Sequence, residues 1–115
     1  MSIVRIPASA PLTFGEATPL GNPQQQAVAQ ARTAAHQELP DARGSTGVWE
    51  CSPGSFRRQV AKAEYSYIVS GAGSFTPDAG EPVDFTAGDA LYFPANTQGT
   101  WTIHQSVRKT YLILE

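Results

Sequence analysis

The sequence predicts an all-β fold, a single small barrel or sandwich, and three observations lead there. From Thr46 onward, short apolar runs follow one another at 46–51, 55–60, 64–70, 72–76, 82–86, 90–93, 99–104 and 107–114. Eight strand-length runs in succession are the mark of a closed or two-layered β architecture. Turn-forming residues interrupt the runs every eight to twelve positions, which leaves no room for a helix of ordinary length. Finally, 115 residues with 41% hydrophobic content supply one core and no second.

The breaks have specific chemistry. Cys51-Ser52-Pro53-Gly54 closes the first strand, and Pro77-Asp78-Ala79-Gly80 places Pro where its fixed φ suits a turn, with Gly at the end. Ala87-Gly88-Asp89 and Pro94-Ala95-Asn96 make two more.

Before Gly44 the chain changes character and becomes rich in Ala, Gln and Pro, so residues 1–43 read as an N-terminal arm, partly irregular, and 44–115 as the folded barrel. Within the arm, Asn22-Pro23 is a reasonable helix start, and QQQAVAQARTAAHQEL could follow as a helix. Its apolar residues are nearly all alanine, which buries too little surface to fix a helix against a barrel. An extended arm or strand competes on equal terms.

Ten acidic against eight basic residues, with no long basic run, argue against a nucleic-acid partner. The start MSIVRIPASAP lacks the basic head and long apolar stretch of a signal peptide, and the longest apolar runs are only a few residues. The expectation is a soluble cytoplasmic protein with no membrane partner. The single cysteine, Cys51, excludes an internal disulfide and a cysteine-cluster metal site. It sits in the strand-like run GVWEC and is expected as a small buried hydrophobe, with a lone reactive thiol as the alternative.

Two spacings then carry a family resemblance. Glu64 precedes Gly71 by six intervening residues in EYSYIVSG, and Gly88 precedes Pro94 by five in GDALYFPAN. Together with GVWECSPGSFR and GTWTIHQSVRKTYLI, over roughly residues 46–113, the chain resembles the cupin superfamily. It looks like the small single-domain cupins grouped with the cupin domain of (S)-ureidoglycine aminohydrolase (cupin type 3), which are related to the ethanolamine-utilisation cupins. The resemblance implies an RmlC-like jelly-roll β-barrel. Asn96 stands where the family commonly has glycine, and asparagine tolerates a left-handed backbone.

In metal-binding cupins, two histidines precede the motif glutamate and a third follows the Gly-to-Pro turn. Counting back from Glu64 puts Arg57 and Gln59 at the first two places, and counting on from Pro94 puts Gly99 at the third. Only Glu64 remains, and a guanidinium repels a cation. The expectation is therefore no metal and no other cofactor. His36 and His104 fall at no motif position, and alternation puts His104 on the face opposite Trp101 and Ile103, at the surface or an interface.

The candidate ligand-binding residues are Arg57, Gln59, Glu64, Trp101, Lys109 and Tyr111. Arg57 could fork onto a carboxylate, Gln59 could donate and accept, and Glu64 could take an amine, amide or ureido hydrogen. The plain alternative pairs Arg57 with Glu64 and involves no ligand. Trp101 is expected to close the pocket or the core. Lys109 and Tyr111, which alternation places on one face, come from the resemblance to ureidoglycine-hydrolase relatives; the alternative for Lys109 is an edge-strand side chain in solvent. No catalytic residue is assigned.

Tyr65 and Tyr67 lie on the face opposite Glu64 by two-residue alternation, and a homodimer interface is the expected cover. The function expected is a metal-free cupin binding a small polar or anionic metabolite. A metal-dependent hydrolase of ureido or amide C–N bonds and a non-catalytic dimeric scaffold are the alternatives. An open interior with Arg57 and Glu64 unpaired would favour binding; one filled by Trp49, Phe56, Phe93 and Trp101 would favour the scaffold.

Overall fold

The computed structural model describes residues 3–9, 11–20 and 28–115. Eight strands run in chain order: β1 (Thr18–Leu20), β2 (Ala29–Glu38), β3 (Gly44–Cys51), β4 (Gly54–Val60), β5 (Glu64–Pro77), β6 (Val83–Thr86), β7 (Ala90–Phe93) and β8 (Thr97–Leu114). Every pairing among them is antiparallel. Among the described residues, no helix is long and apolar enough to cross a membrane.

Two pairs of sequence runs prove to be single long strands. Runs 64–70 and 72–76 join as β5, and 99–104 and 107–114 join as β8. These strands pair with each other along nearly their whole length, with register shifts between Ile68 and Gly73. The first half of β5 and the last half of β8 share one layer with β3, β2, β1 and β7. The other halves share a second layer with β4 and β6. The two layers are thus continuous, and their facing sides enclose the core.

The bend is possible because Gly71 sits there at φ +93°, where a Cβ would lie 2.2 Å from the Ser106 carbonyl oxygen. Gly88 is also left-handed, at φ +97°, but has open space around it. It lies in the turn after β6, where its amide donates to the Ile68 carbonyl and the Ile68 amide donates to the Asp89 carbonyl, both at 2.8 Å. The Asp89 carboxylate accepts from the Thr86 amide at 2.9 Å, which closes the turn. Asn96 adopts φ 64°, the left-handed conformation expected of it.

The alanine-rich segment is a strand where it is described. Residues 21–27, including Asn22-Pro23, lie outside the described residues, and 29–38 form β2. The physical reason is that an alanine helix would have no apolar face to dock. As a strand it gains a ladder to β3 and inserts Ala29 and Ala31 into the core. Ahead of it, the segment containing Phe14 lies against the outer face. Arg32 and Arg108 both bind the Glu50 carboxylate, at 2.7 and 2.6 Å, and both guanidiniums sit over the Phe14 ring. The Arg108 guanidinium also donates to the Ala8 carbonyl at 3.1 Å.

Cys51 is buried and belongs to the core cluster. Burial pushes its thiol up to about 11, so at neutral pH it is a protonated packing group with little nucleophilic character.

The two glycines make a paired test of this bend. Gly71→Ala is expected to cost well over 1 kcal/mol, since about 1–2 kcal/mol of left-handed strain adds to a backbone clash. Gly88→Ala should cost only about that strain. Urea unfolding of both variants checks it, and equal losses would show that close approach at Gly71 is unimportant.

Candidate functional site

Inward-facing residues of the two layers meet at one end of the barrel around a cavity of about 260 Å³, lined by residues that include His36, Trp49, Arg58, Glu64, Trp101, Lys109 and Tyr111. Its floor is a buried ion pair. Lys109 Nζ lies 2.7 Å from Glu64 Oε2 and 3.0 Å from Ser66 Oγ, and the Ser66 hydroxyl donates to the same carboxylate oxygen at 2.9 Å. The two charged side chains are 7% and 6% exposed. The strands explain the arrangement. Glu64 and Ser66 alternate inward on β5, Lys109 and Tyr111 alternate inward on β8, and the pairing sets Ser66 beside Tyr111 and Ile68 beside Lys109.

The ammonium is caged by rings, with Nζ 5.0 Å from the Trp49 centroid, 5.1 Å from Trp101 and 6.0 Å from Phe93. Such contacts favour the cation in a desolvated site. Behind the pair, Trp101 packs against Phe75, Phe85 and Phe93 with ring centroids 5.2 to 5.6 Å apart. The interior is therefore filled by aromatic rings at one end and open at the other.

Burial alone would raise the Glu64 carboxyl, but the Lys109 charge, its hydrogen bond and that of Ser66 hold it below its ordinary value of 4.5. Burial pushes the Lys109 ammonium down, and Glu64 offsets this only in part. Tyr111 is pushed up, first by burial and then by the Glu64 and Glu38 carboxylates, so its phenol stays protonated at neutral pH.

A second chain of groups reaches the cavity from β2. Tyr111 Oη is 2.8 Å from His36 Nδ1, and His36 Nε2 is 3.1 Å from Glu38 Oε1. A carboxylate only accepts, so Nε2 carries the proton, and in the neutral imidazole the phenol donates to Nδ1. Gly47 makes room for this phenol, since a Cβ there would lie 2.5 Å from Tyr111 Oη.

The six expected residues divide. Glu64, Trp101, Lys109 and Tyr111 come together around the cavity. Arg57 and Gln59 do not. Arg57 points outward and forms a forked ion pair with Asp78, one arm of it at 2.7 Å, and Gln59 is exposed on the same outer face. The reason is strand parity. Phe56 and Val60 are buried inward, so Arg58, between them, shares their face and takes the cavity position. Its cross-strand partner is Gly99. The pairing of Arg57 with Glu64 is accordingly replaced by Arg57 with Asp78 and Lys109 with Glu64. Lys109 lies on β8 between β3 and β5, so the edge-strand reading gives way to a buried one.

His36 was missed because simple alternation puts it with Ala34, opposite Thr33. In the structure, Thr33 pairs with Trp49 and Glu38 with Ser45, so β2 spends one more residue than β3 over the same span. The bulge, with Ala35 at φ 53°, flips the parity and turns His36 toward Tyr111. Nothing in the sequence announces it. His104 is exposed, as alternation indicates.

The resemblance implies a divalent cation in such a barrel, and the residues present do not fit one. The Glu64 carboxylate is already bound by an ammonium, and a second cation, Arg58, faces the same space. At Gly99 a Cβ would lie 2.7 Å from the Phe75 ring, so a histidine would collide with the aromatic cluster. Among the described residues, no three His, Cys, Asp or Glu side chains gather as a metal site.

This architecture is that of a cupin jelly roll, and solved structures share it. The EutQ protein of Clostridium difficile matches with a TM-score of 0.67 at 17% identity, over 84% of this chain and 75% of that one. A DUF861 family protein of unknown function from Pseudomonas syringae pv. tomato matches with a TM-score of 0.76 at 20% identity, over 94% of this chain and 46% of that one. A DUF861 family protein from Thermotoga maritima is 27% identical, with a TM-score of 0.57 over 58% of this chain and 76% of that one. No curated protein sequence matches the chain. The model of the EutQ-like cupin domain matches residues 38–111, and the chain belongs to that family.

Removing one partner of a buried pair leaves an uncompensated charge, so Lys109→Met and Glu64→Gln should each cost about 3–5 kcal/mol, and the double variant should recover most of the loss. Equilibrium denaturation of the four proteins checks this, and additive losses would contradict it. Because the folded Glu64 carboxyl lies below 4.5, its contribution is present above that pH and lost as the pH falls through the folded value. Glu64→Gln should therefore unfold with a shallower acid dependence than the parent.

Proposed function

We propose that this EutQ-like cupin binds a small polar or anionic metabolite at the barrel mouth without a metal ion. The observation that carries the reading is the charge arrangement around the cavity: Lys109 and Glu64 neutralise each other, whereas Arg58 has no ion-pair partner among the described residues. An arginine outside any ion pair, above an aromatic wall, suits a small carboxylate, which Arg58 would fork and Tyr111 or His36 would orient. Calorimetric titration with a panel of small carboxylates and ureido acids tests it. At least one compound should bind saturably, and Arg58→Gln should weaken a carboxylate about tenfold, the loss of one charge-assisted hydrogen bond. Binding unaffected by Arg58→Gln would count against the anionic reading. Elemental analysis of protein purified without chelator or metal-affinity tag should find no stoichiometric metal, and about one equivalent per chain would overturn the metal-free site.

The same proposal includes pairing of two copies. Tyr65, Tyr67 and Tyr92 are 41%, 44% and 64% exposed, and Tyr65 lies between Tyr92 and Leu112 on neighbouring strands. Rings in such a patch favour a protein contact. Sedimentation should give a dimer for the parent and a monomer for a Tyr65→Glu, Tyr92→Glu variant; identical sedimentation of the two would remove this face from consideration.

A further inference from the structure

We propose that Lys109 is a covalent capture residue: its amine forms an imine with a small carbonyl compound, with a 2-oxo carboxylate as the substrate class, inside the cavity. The inference rests on the binding reading above and goes further, since ligand binding alone needs no reactive amine.

Four placements support it. Nζ forms part of the cavity wall, with the Glu64 carboxylate at 2.7 Å, within reach to take and return a proton. Three aromatic rings surround the amine and keep water from competing with a bound carbonyl. Tyr111, two residues along β8, lines the same cavity with a phenol that His36 and Glu38 back. His36 and Glu38 are 49% and 78% exposed, so the hydrogen-bond chain behind the phenol opens to solvent. Arg58 completes the set. It acts electrostatically on both Glu64 and Lys109 and is placed to hold a carboxylate next to the carbonyl. Burial also drives the amine toward its neutral, nucleophilic form.

The step balances without an oxidant or reductant. Lys109 passes a proton to Glu64, and the freed lone pair forms the C–N bond. The carbonyl π pair moves to oxygen, which takes the Tyr111 proton as the phenol turns from His36 Nδ1, and the nitrogen reprotonates the phenolate. Glu64 then returns its proton to the new hydroxyl, the C–O bond breaks, water leaves, and the nitrogen lone pair closes a protonated imine. One carbonyl and one ammonium become one iminium and one water.

The chain contains its own control, because Lys62 and Lys109 are its only lysines. Lys62 is exposed and paired with Glu115. Full-length protein is incubated at neutral pH with pyruvate and cyanoborohydride, and the adduct is located by peptide mass mapping. The expected result is one reduced pyruvyl group on Lys109 with Lys62 at least about tenfold slower, the preference disappearing in urea. Tyr111→Phe should slow Lys109 labelling at least about tenfold, in line with loss of a positioned proton donor, with little effect on Lys62. Arg58→Gln should slow labelling by pyruvate more than labelling by acetone. Equal labelling of the two lysines, or none on Lys109 in folded protein, would overturn the proposal. If non-carbonyl carboxylates still bind saturably in that case, the imine fails and the binding site stands; if they do not, both fail.

Discussion

Two strands determine where everything else can be. β5 and β8 pair along their lengths and pass from one layer to the other at the glycine-dependent bend, so each supplies side chains to both walls of the barrel. A strand confined to one sheet offers one inner face. A strand that crosses between sheets offers two, in fixed relation, because the ladder allows no independent adjustment. Glu64, Ser66, Lys109 and Tyr111 come from one half of this pair, and Phe75 and Trp101 from the other half. The polar floor and the aromatic wall are therefore positioned by the same set of backbone hydrogen bonds.

That sharing gives the ion pair its setting. Two charges with almost no solvent contact need near-ideal geometry, and Ser66 supplies the extra hydrogen bond that the pair requires. The rings around Nζ serve the core and the site at once. Trp101 packs against three phenylalanines and also faces the ammonium. In metal-binding cupins the barrel centre holds a divalent cation; here an ammonium tethered to the chain lies against the motif glutamate. A tethered cation brings its own proton chemistry, which a metal does not.

Much of this was legible in the sequence, and the failures have definite causes. The strands from Thr46 onward could be read because turn residues and apolar alternation agree there. Glu64 followed from the family motif, Lys109 and Tyr111 from the resemblance together with parity, and Trp101 from its place after Gly99. Arg58 was also legible: the buried pair Phe56 and Val60 fixes its face, but counting by motif spacing from Glu64 pointed to Arg57 and Gln59. Local alternation was the better guide, because the loop between β4 and β5 can change length without disturbing either strand. β2 was ambiguous since alanine satisfies helix and strand alike, and its partner, β3, settles the matter through non-local hydrogen bonds. His36 could not be found by periodicity at all, because the bulge that turns it inward breaks the period.

The bulge in β2 also separates two properties that proteins usually find hard to vary independently. On a regular strand, an insertion moves every later side chain to the other face, core and site together. Here the extra residue lies after Ala29 and Ala31 have entered the core and before His36 and Glu38 reach the mouth. Changes in length at this point re-deal only the residues at the cavity mouth. The barrel thus has a place at which its chemistry can be rewritten by changing the reading frame of a strand, while the packing that makes it fold is left as it was.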